Sequence, residues 1–302
     1  MLAFCEKYGI IYAYGKEKWN MKYAAIMFDI VESRRYIERY DVQNVLMESI
    51  SYLNWLYSKS IKKEVVCSAG DEFQGLFIDL QSAFLYVRKL QLLIYPIKIR
   101  CGIGYGKIKY DEEKWYSTAF DGEAYYLCRD AINSIPKRKS NVICFNTRSH
   151  FDKYLNVFCM SNIEIKSRQS QIVRLIELIA DIISPIIPTK EDAGFYKFIL
   201  KSRLNLIEQE SWNKVRGNYR EVEPLNIDFE QLFETKRVME YKDSYDSSFC
   251  MEDFWVHGMS TYISEILNTS RQNVDRYVSL GKVKESRTMD KAICDFLEEN
   301  IW

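Results

Sequence analysis

The sequence predicts an α+β fold in which a sheet carries helices on one face and an all-α region follows. Two observations support this class. Between residues 21 and about 160, short apolar runs of strand-like composition alternate with segments in which apolar residues recur every three or four positions. From about residue 165 only the helical spacing remains. We therefore expect an extension over residues 1–20, an α+β domain over residues 21–160, and helices after it.

Composition limits the function classes. The 302 residues suffice for two compact domains, and 47% of them are hydrophobic. Lys plus Arg and Asp plus Glu both number 42, so the overall charge indicates neither a nucleic acid nor a membrane as partner. No apolar window reaches the roughly 18 to 20 residues of a membrane span. Eight cysteines without a C-x-x-C pair argue against a zinc site and suit reduced thiols, so we expect a cytoplasmic protein without membrane contact.

The first domain can be assigned element by element. A strand over Lys22 to Phe28 places Asp29 at its end. A helix, an acidic hairpin, a second helix, a strand over 97–105, a return strand over 107–110, a third helix and a closing strand over 141–145 follow. The helices are identified by apolar residues at steps of three and four, namely Val42, Leu46, Ile50, Leu53 and Tyr57, then Leu80, Ala83, Val87, Leu90 and Ile94, then Ala124, Leu127, Ala131 and Ile135.

Gly102, Gly104 and Gly106 alternate near the end of the strand that follows the second helix. Glycine at every second position leaves one face of a strand without side chains, so another backbone or a bulky group can approach there. No helix N-terminus follows directly, as a dinucleotide-binding fingerprint requires. Packing is therefore the expected reason for these glycines.

The acidic hairpin carries Gly70, Asp71 and Glu72 at its tip. Gly70 has the backbone freedom that the reversal needs. If the first strand lies beside this hairpin, Asp29 and Asp71 converge, and two carboxylates completed by water and phosphate oxygens suit a hard cation such as Mg²⁺. Taken singly, Asp29 is better explained as a cap or turn residue, and Asp71 with Glu72 as a solvated turn.

The second half of the chain is predicted to be helical. It divides into a helical segment over residues 161–222, a weakly patterned connector over 223–253, and a helix-turn-helix domain over 254–302. In the last, one helix ends at Leu267 and Ser270 caps the next. The second helix exposes residue types that read base edges and phosphates, which are Arg271, Gln272, Asn273 and Arg276. A helical bundle with a polar surface explains the same pattern without DNA.

Four motifs together resemble the SatD family: Phe28-Asp29-Ile30-Val31 with Ser33-Arg34, Gly70 to Gly75, Ile99-Arg100 with Gly102 to Gly106, and Asp121-Gly122 to Ala131. Their order is also similar to class III nucleotidyl cyclases and, more distantly, to polymerase palm domains. The resemblance implies a palm-like, ferredoxin-like sheet. It further implies Mg²⁺ or Mn²⁺ on Asp29, Asp71 and Glu72, a nucleotide at Ile30, Ser33, Arg34, Gly70 and Arg129, and a catalytic set of Asp29, Asp71 and Arg129 if the protein is an enzyme.

Two departures from the cyclase pattern guide the functional prediction. Cyclases carry Asn where this chain has Tyr125, and they often carry a base-selecting Lys where it has Cys67. Because phosphate and metal groups are kept while substrate-reading groups are absent, we expect a SatD-like DNA-binding regulator that senses a nucleotide, such as a nucleoside triphosphate, and binds double-stranded DNA as a homodimer. The alternatives are a metal-dependent nucleotidyl cyclase or oligonucleotide synthase, and a protein-interaction module without catalysis.

Overall fold

One mixed sheet organises the N-terminal half. The computed structural model describes residues 21–36, 39–109, 121–187, 192–213, 227–228 and 253–299. Within these ranges the strands are β1 (Lys22–Ile30), β2 (Ile61–Ala69), β3 (Glu72–Phe77), β4 (Ile99–Lys107) and β5 (Ile143–Asn146). Their order is β2-β3-β1-β4-β5, with β5 parallel to β4 and the other neighbours antiparallel. A central strand is covered on both faces, which explains the near-continuous apolar run of β1.

Nine α-helices lie in the described residues. They are α1 (Arg39–Leu56), α2 (Leu80–Leu93), α3 (Glu123–Ser134), α4 (Asp152–Ser167), α5 (Gln171–Ile183), α6 (Ala193–Asn213), α7 (Met259–Ile266), α8 (Arg271–Leu280) and α9 (Val283–Glu299). The α+β class is confirmed, as are the three helices expected in the first domain. The return strand is not: Lys107 ends β4, Ile108 bridges to Gly122, and Tyr110 lies outside the described residues.

The expectation that all helices cover one face of the sheet is wrong. Side chains of β1 alternate between two apolar cores: Ile26 and Phe28 belong to the core that contains α1 and α2, whereas Ala25 and Met27 pack with α3. Successive residues of a strand point to opposite faces. Because both sets of β1 side chains are apolar, both faces of the sheet are covered, one by α1 and α2 and the other by α3.

The alternating glycines of β4 explain why α3 lies so close to the sheet. A Cβ at Gly102 would stand 2.6 Å from the Ile132 backbone nitrogen, and one at Gly104 would stand 2.8 Å from the Cys128 Cα. Real side chains do not tolerate such distances, so the backbone of α3 occupies the space where side chains of β4 would be. The predicted packing role of these glycines is confirmed.

Buried ion pairs join the C-terminal helices to the rest of the chain. Asp290 of α9 accepts from Arg88 of α2 at 2.5 Å and pairs with Lys166 of α4 at 2.8 Å, and Arg88 also donates to Asp181 of α5 at 2.6 Å. Burial acts to raise the pKa of Asp290, but Lys166 and Arg88 outweigh it and hold that pKa below its ordinary value. The charged form of Asp290 is therefore the one that the fold stabilises.

Several predictions of domain organisation fall outside the described residues. The extension over residues 1–20 and most of the connector over 223–253 are among them, so the boundaries at residues 222 and 253 stay predictions. The predicted boundary at residue 160 lies within α4. None of the described helices has the length and apolar content that crossing a bilayer requires.

Candidate functional site

A cleft of about 250 Å³ lies between the turn after β1, the start of α1 and the tip of the β2–β3 hairpin. Its lining consists of Ile30, Ser33, Arg34, Tyr36, Arg39, Val42, Gln43, Gly70 and Asp71. The resemblance assigned five residues to nucleotide binding, and the cleft brings together four of them, Ile30, Ser33, Arg34 and Gly70. The fifth, Arg129, is not part of the lining.

The turn after β1 presents Ser33 and Arg34 to this cleft. The Val31 amide donates to the Lys98 carbonyl at 2.8 Å, which holds the end of β1 against the start of β4. Glu32 then adopts left-handed backbone angles, with φ of 55°, and a 3₁₀ turn over Ser33–Arg35 follows. Few non-glycine residues adopt this conformation, which here lies in the turn that joins β1 to the 3₁₀ segment.

The opposite wall is the hairpin tip. Gly70 has φ of 64°, and a Cβ placed on it would meet nothing within 4 Å. The glycine is therefore needed for its backbone angle and not for space. The expected reversal at Gly70 is confirmed, and it places Asp71 at the rim of the cleft.

Arg34 and Arg39 make the cleft cationic. Both side chains are exposed, and neither forms an ion pair with another residue that the structure describes. Asp71 likewise has no hydrogen-bond or ion-pair partner among the described residues. Two guanidinium groups and one carboxylate are thus available to a ligand, together with the Ser33 hydroxyl and the Gln43 amide.

Asp29 is engaged elsewhere, on the side of the sheet that faces α3. Its two carboxylate oxygens accept from Arg100 Nε at 2.7 Å and Arg100 Nη2 at 2.6 Å. Arg100 Nη1 also donates to the carbonyls of Ile132 and Ile135 at the end of α3. The hydrogen bond with Asp29 raises the pKa of the Arg100 guanidinium, so the contact stabilises the charged form of Arg100.

Glu72, and not Asp71, lies opposite Asp29 in the register of β1 and β3. Its carboxylate accepts from Arg129 Nη2 at 3.2 Å and from the Ser68 hydroxyl at 3.3 Å. Over the described ranges no three His, Cys, Asp or Glu side chains are grouped closely enough to hold a metal ion. The metal role of Asp29, Asp71 and Glu72 stays a prediction, as do the catalytic roles of Asp29, Asp71 and Arg129.

The helices α7 and α8 have the predicted positions. Ser270 caps α8 by accepting from the Asn273 amide at 3.2 Å, and Val274 is buried beneath it. The four residues assigned to DNA contact, Arg271, Gln272, Asn273 and Arg276, are all exposed on α8. Arg271 forms a surface ion pair with Asp275 at 3.4 Å, a contact that solvent screens strongly.

Sequence reasoning missed Arg39, Gln43 and Arg100 as site residues. Arg39 and Gln43 are four residues apart at the start of α1, a spacing that puts them on one helical face beside Arg34, and this signal could have found them. Arg100 gave no such signal. Its role depends on which residue of β1 it faces, and only the register of the sheet shows that this residue is Asp29.

Comparison with known proteins agrees with the resemblance. No curated protein matches the chain. The sequence profile of the SatD family matches residues 23–206, which cover the sheet, the cleft and the chain as far as α6. The match includes Asp29, Arg34 and Gly70, and it covers more than half of the sequence. The chain therefore belongs to the SatD family.

Proposed function

We propose that this protein is a DNA-binding regulator whose palm-like sheet domain binds a nucleotide in the cleft between β1, α1 and the β2–β3 hairpin. The observation that carries the proposal is that one cleft brings Gly70 together with Ile30, Ser33 and Arg34, and the family resemblance implies a nucleotide at all four residues. The C-terminal helices supply the surface that reads DNA.

The side chains of the cleft match the chemistry of a nucleotide. Arg34 and Arg39 present planar guanidinium forks, which bind phosphate oxygens through paired hydrogen bonds. Asp71 and Gln43 can accept from sugar hydroxyls or base amino groups. The cavity of about 250 Å³ is smaller than the roughly 300 to 1,000 Å³ of pockets that enclose a whole drug-sized ligand. It therefore suits the phosphate-bearing part of a nucleotide, with the remainder outside.

The cleft is tested by titrating the full chain with ATP and GTP and measuring the heat of binding. Replacing Arg34 or Arg39 with Met should weaken binding by about tenfold or more, because each hydrogen bond to a charged group contributes about 1.5 to 3 kcal/mol. Arg168→Met is the matched control, since Arg168 is an exposed arginine directly after the end of α4 and pairs with the nearby Glu164. Equal affinity in all variants would contradict the proposal for the cleft.

The DNA surface is proposed from α8. A recognition helix contacts the major groove with residues near its N-terminus, and Arg271, Gln272 and Asn273 occupy the first turn of α8. Such helices usually act in pairs, so we propose a homodimer that reads half-sites about one helical turn apart. The double variant Arg271→Ala/Arg276→Ala should weaken binding to duplex DNA at low salt and reduce the salt slope by about one unit per lost phosphate contact.

Fluorescence polarisation with labelled duplex DNA measures this effect, and Arg168→Ala again serves as the control. If wild type and the double variant bind equally, or if neither binds, the C-terminal helices are a scaffold and the regulator proposal fails. A protein-interaction module would then be the remaining class.

The enzymatic alternative keeps one specific support, which is that Asp71 lies in the cleft with both arginines. Incubation with each nucleoside triphosphate plus Mg²⁺ or Mn²⁺ tests it. Product that forms with wild type and is abolished by Asp71→Ala would favour a cyclase or synthase over a sensor. The bidentate contact of Asp29 with Arg100 favours binding without turnover.

A further inference from the structure

We propose that the cleft binds its nucleotide without a divalent metal ion, with Arg34 and Arg39 supplying the positive charge that metal ions supply in related palm domains. The proposal rests on the function proposed for the cleft. Its basis is that the carboxylates expected to hold metal do not fit that task in this chain.

Asp29 is committed to Arg100. Both of its oxygens accept short, charge-assisted hydrogen bonds from that guanidinium, at 2.7 and 2.6 Å. The Arg100 side chain is 10% exposed and is held in place by the carbonyls of Ile132 and Ile135. Turning Asp29 towards a metal would leave a buried cation without its counter-ion, which is strongly unfavourable.

The other two carboxylates expected to bind metal, those of Glu72 and Asp71, cannot replace Asp29 as a metal ligand. Glu72 shares its carboxylate with Arg129 and Ser68. Among the residues that the structure describes, Asp71 is the single carboxylate that lines the cleft, and Arg34 and Arg39 line it as well. A dication in this cleft would have one protein carboxylate to bind it and two guanidinium groups that repel it and compete for the same phosphate oxygens.

Binding in EDTA and in excess Mg²⁺ tests the proposal directly. We expect dissociation constants for ATP and GTP that agree within about threefold between the two conditions, and about a tenfold loss in both for Arg34→Met. Binding that is abolished by EDTA and restored by Mg²⁺ or Mn²⁺ would overturn the inference while leaving the nucleotide-sensing function intact. Absence of binding in every condition would instead refute the function of the cleft.

The stability of the protein without nucleotide gives a second, independent readout. In EDTA, Asp29→Asn should lower the urea midpoint of unfolding, because it leaves Arg100 without its counter-ion. The control is Asp130→Asn, at an exposed position on α3, which should leave the urea midpoint unchanged. If Asp29→Asn is as stable as wild type or more stable, Asp29 is not committed to Arg100 and the inference fails.

Discussion

At the scale of single residues, the buried carboxylate of Asp290 accepts hydrogen bonds from several side chains. It accepts from Arg88 at 2.5 Å, from Asn162 at 2.6 Å and from Lys166 at 2.8 Å, and all of these donors lie on α2 or α4. Removing one partner of a buried pair leaves the opposite charges desolvated and uncompensated. The carboxylate therefore matters more for stability than its exposed counterparts do.

Asp290→Ala should lower the free energy of unfolding by about 3 to 5 kcal/mol, because Arg88 and Lys166 lose their counter-ion in the interior. Equilibrium unfolding in urea measures the loss. The control is Asp275→Ala, which breaks an exposed pair with Arg271 and should cost no more than about 1 kcal/mol. Similar losses in the two variants would show that the buried pairs contribute no more than surface ones.

The same carboxylate predicts how stability depends on pH. The pKa of Asp290, like that of Asp181, is lowered in the folded protein. Burial acts to raise both pKa values, but the neighbouring cations lower them by more. A carboxyl group whose pKa is lowered by folding stabilises the folded protein. This stabilisation is fully present above the pKa of the unfolded state, about 3.9, and is lost as the pH falls through the pKa of the folded state. Urea unfolding at several pH values should show a loss of stability below about pH 4 that is smaller in Asp290→Asn. An identical acid dependence in both proteins would contradict this assignment.

At the scale of elements, the contact between β4 and α3 sets the second layer of the fold. Gly102 and Gly104 allow the backbone of α3 to lie against the strand. The side chain of Arg100, two residues earlier on the same strand, then reaches the carbonyls at the end of α3 and Asp29 on β1. The position of the Arg100 guanidinium therefore depends on the close approach of α3 to β4.

Gly104→Ala should destabilise the protein by about 1 to 3 kcal/mol, because the added methyl group would overlap the backbone of α3 and force it away from the sheet. Equilibrium unfolding in urea measures the change in the free energy of unfolding. Gly194→Ala, at an exposed helical position where the new methyl group meets only the Asp192 side chain, should be neutral or slightly stabilising. A neutral Gly104→Ala would mean that α3 can shift without cost.

The start of α8 gives a separate prediction for the C-terminal helices. Ser270→Ala removes the side-chain acceptor for the Asn273 amide and should cost about 1 kcal/mol, whereas Ser270→Asp should keep the cap. Ser279→Ala, near the exposed end of the same helix, is the control. The three variants are compared by chemical denaturation, and equal stability of Ser270→Ala and wild type would show that the cap is dispensable.

At the scale of the whole molecule, the C-terminal helices share the apolar core of the sheet domain. Val283, Ile293 and Leu297 of α9 belong to the same buried cluster as Ile26 and Phe28 of β1. Gln81 of α2 additionally donates to the Cys294 carbonyl and to the Glu298 carboxylate. Docking of α9 therefore rests on apolar burial and buried pairs together.

Cleavage in the predicted connector over residues 223–253 should leave the two fragments associated. A protease site inserted there permits a clean cut, and gel filtration afterwards should show both fragments in one peak, even at high salt, because buried contacts are screened little. The variant Asp290→Ala should weaken that association. Fragments of wild type that separate freely would show that the C-terminal helices form an independent domain.

The sequence by itself determined those features that depend only on interactions between nearby residues. The apolar steps of α1 and α2, the reversal at Gly70 and the cap at Ser270 each depend on residues within one or two turns of the chain, so their patterns could be recognised directly. Family resemblance then identified four of the residues that line the cleft.

Only the tertiary structure decided how distant residues pair. Asp29 and Arg100 are 71 positions apart, and a shift of one residue in the register of β1 and β4 would put them on opposite faces of the sheet. The face that α3 covers likewise depended on the space above Gly102 and Gly104, which no local periodicity encodes. The sequence located the cleft, but the fold decided which acidic residue remains available in it, because that choice depends on partners the chain brings together only when it folds.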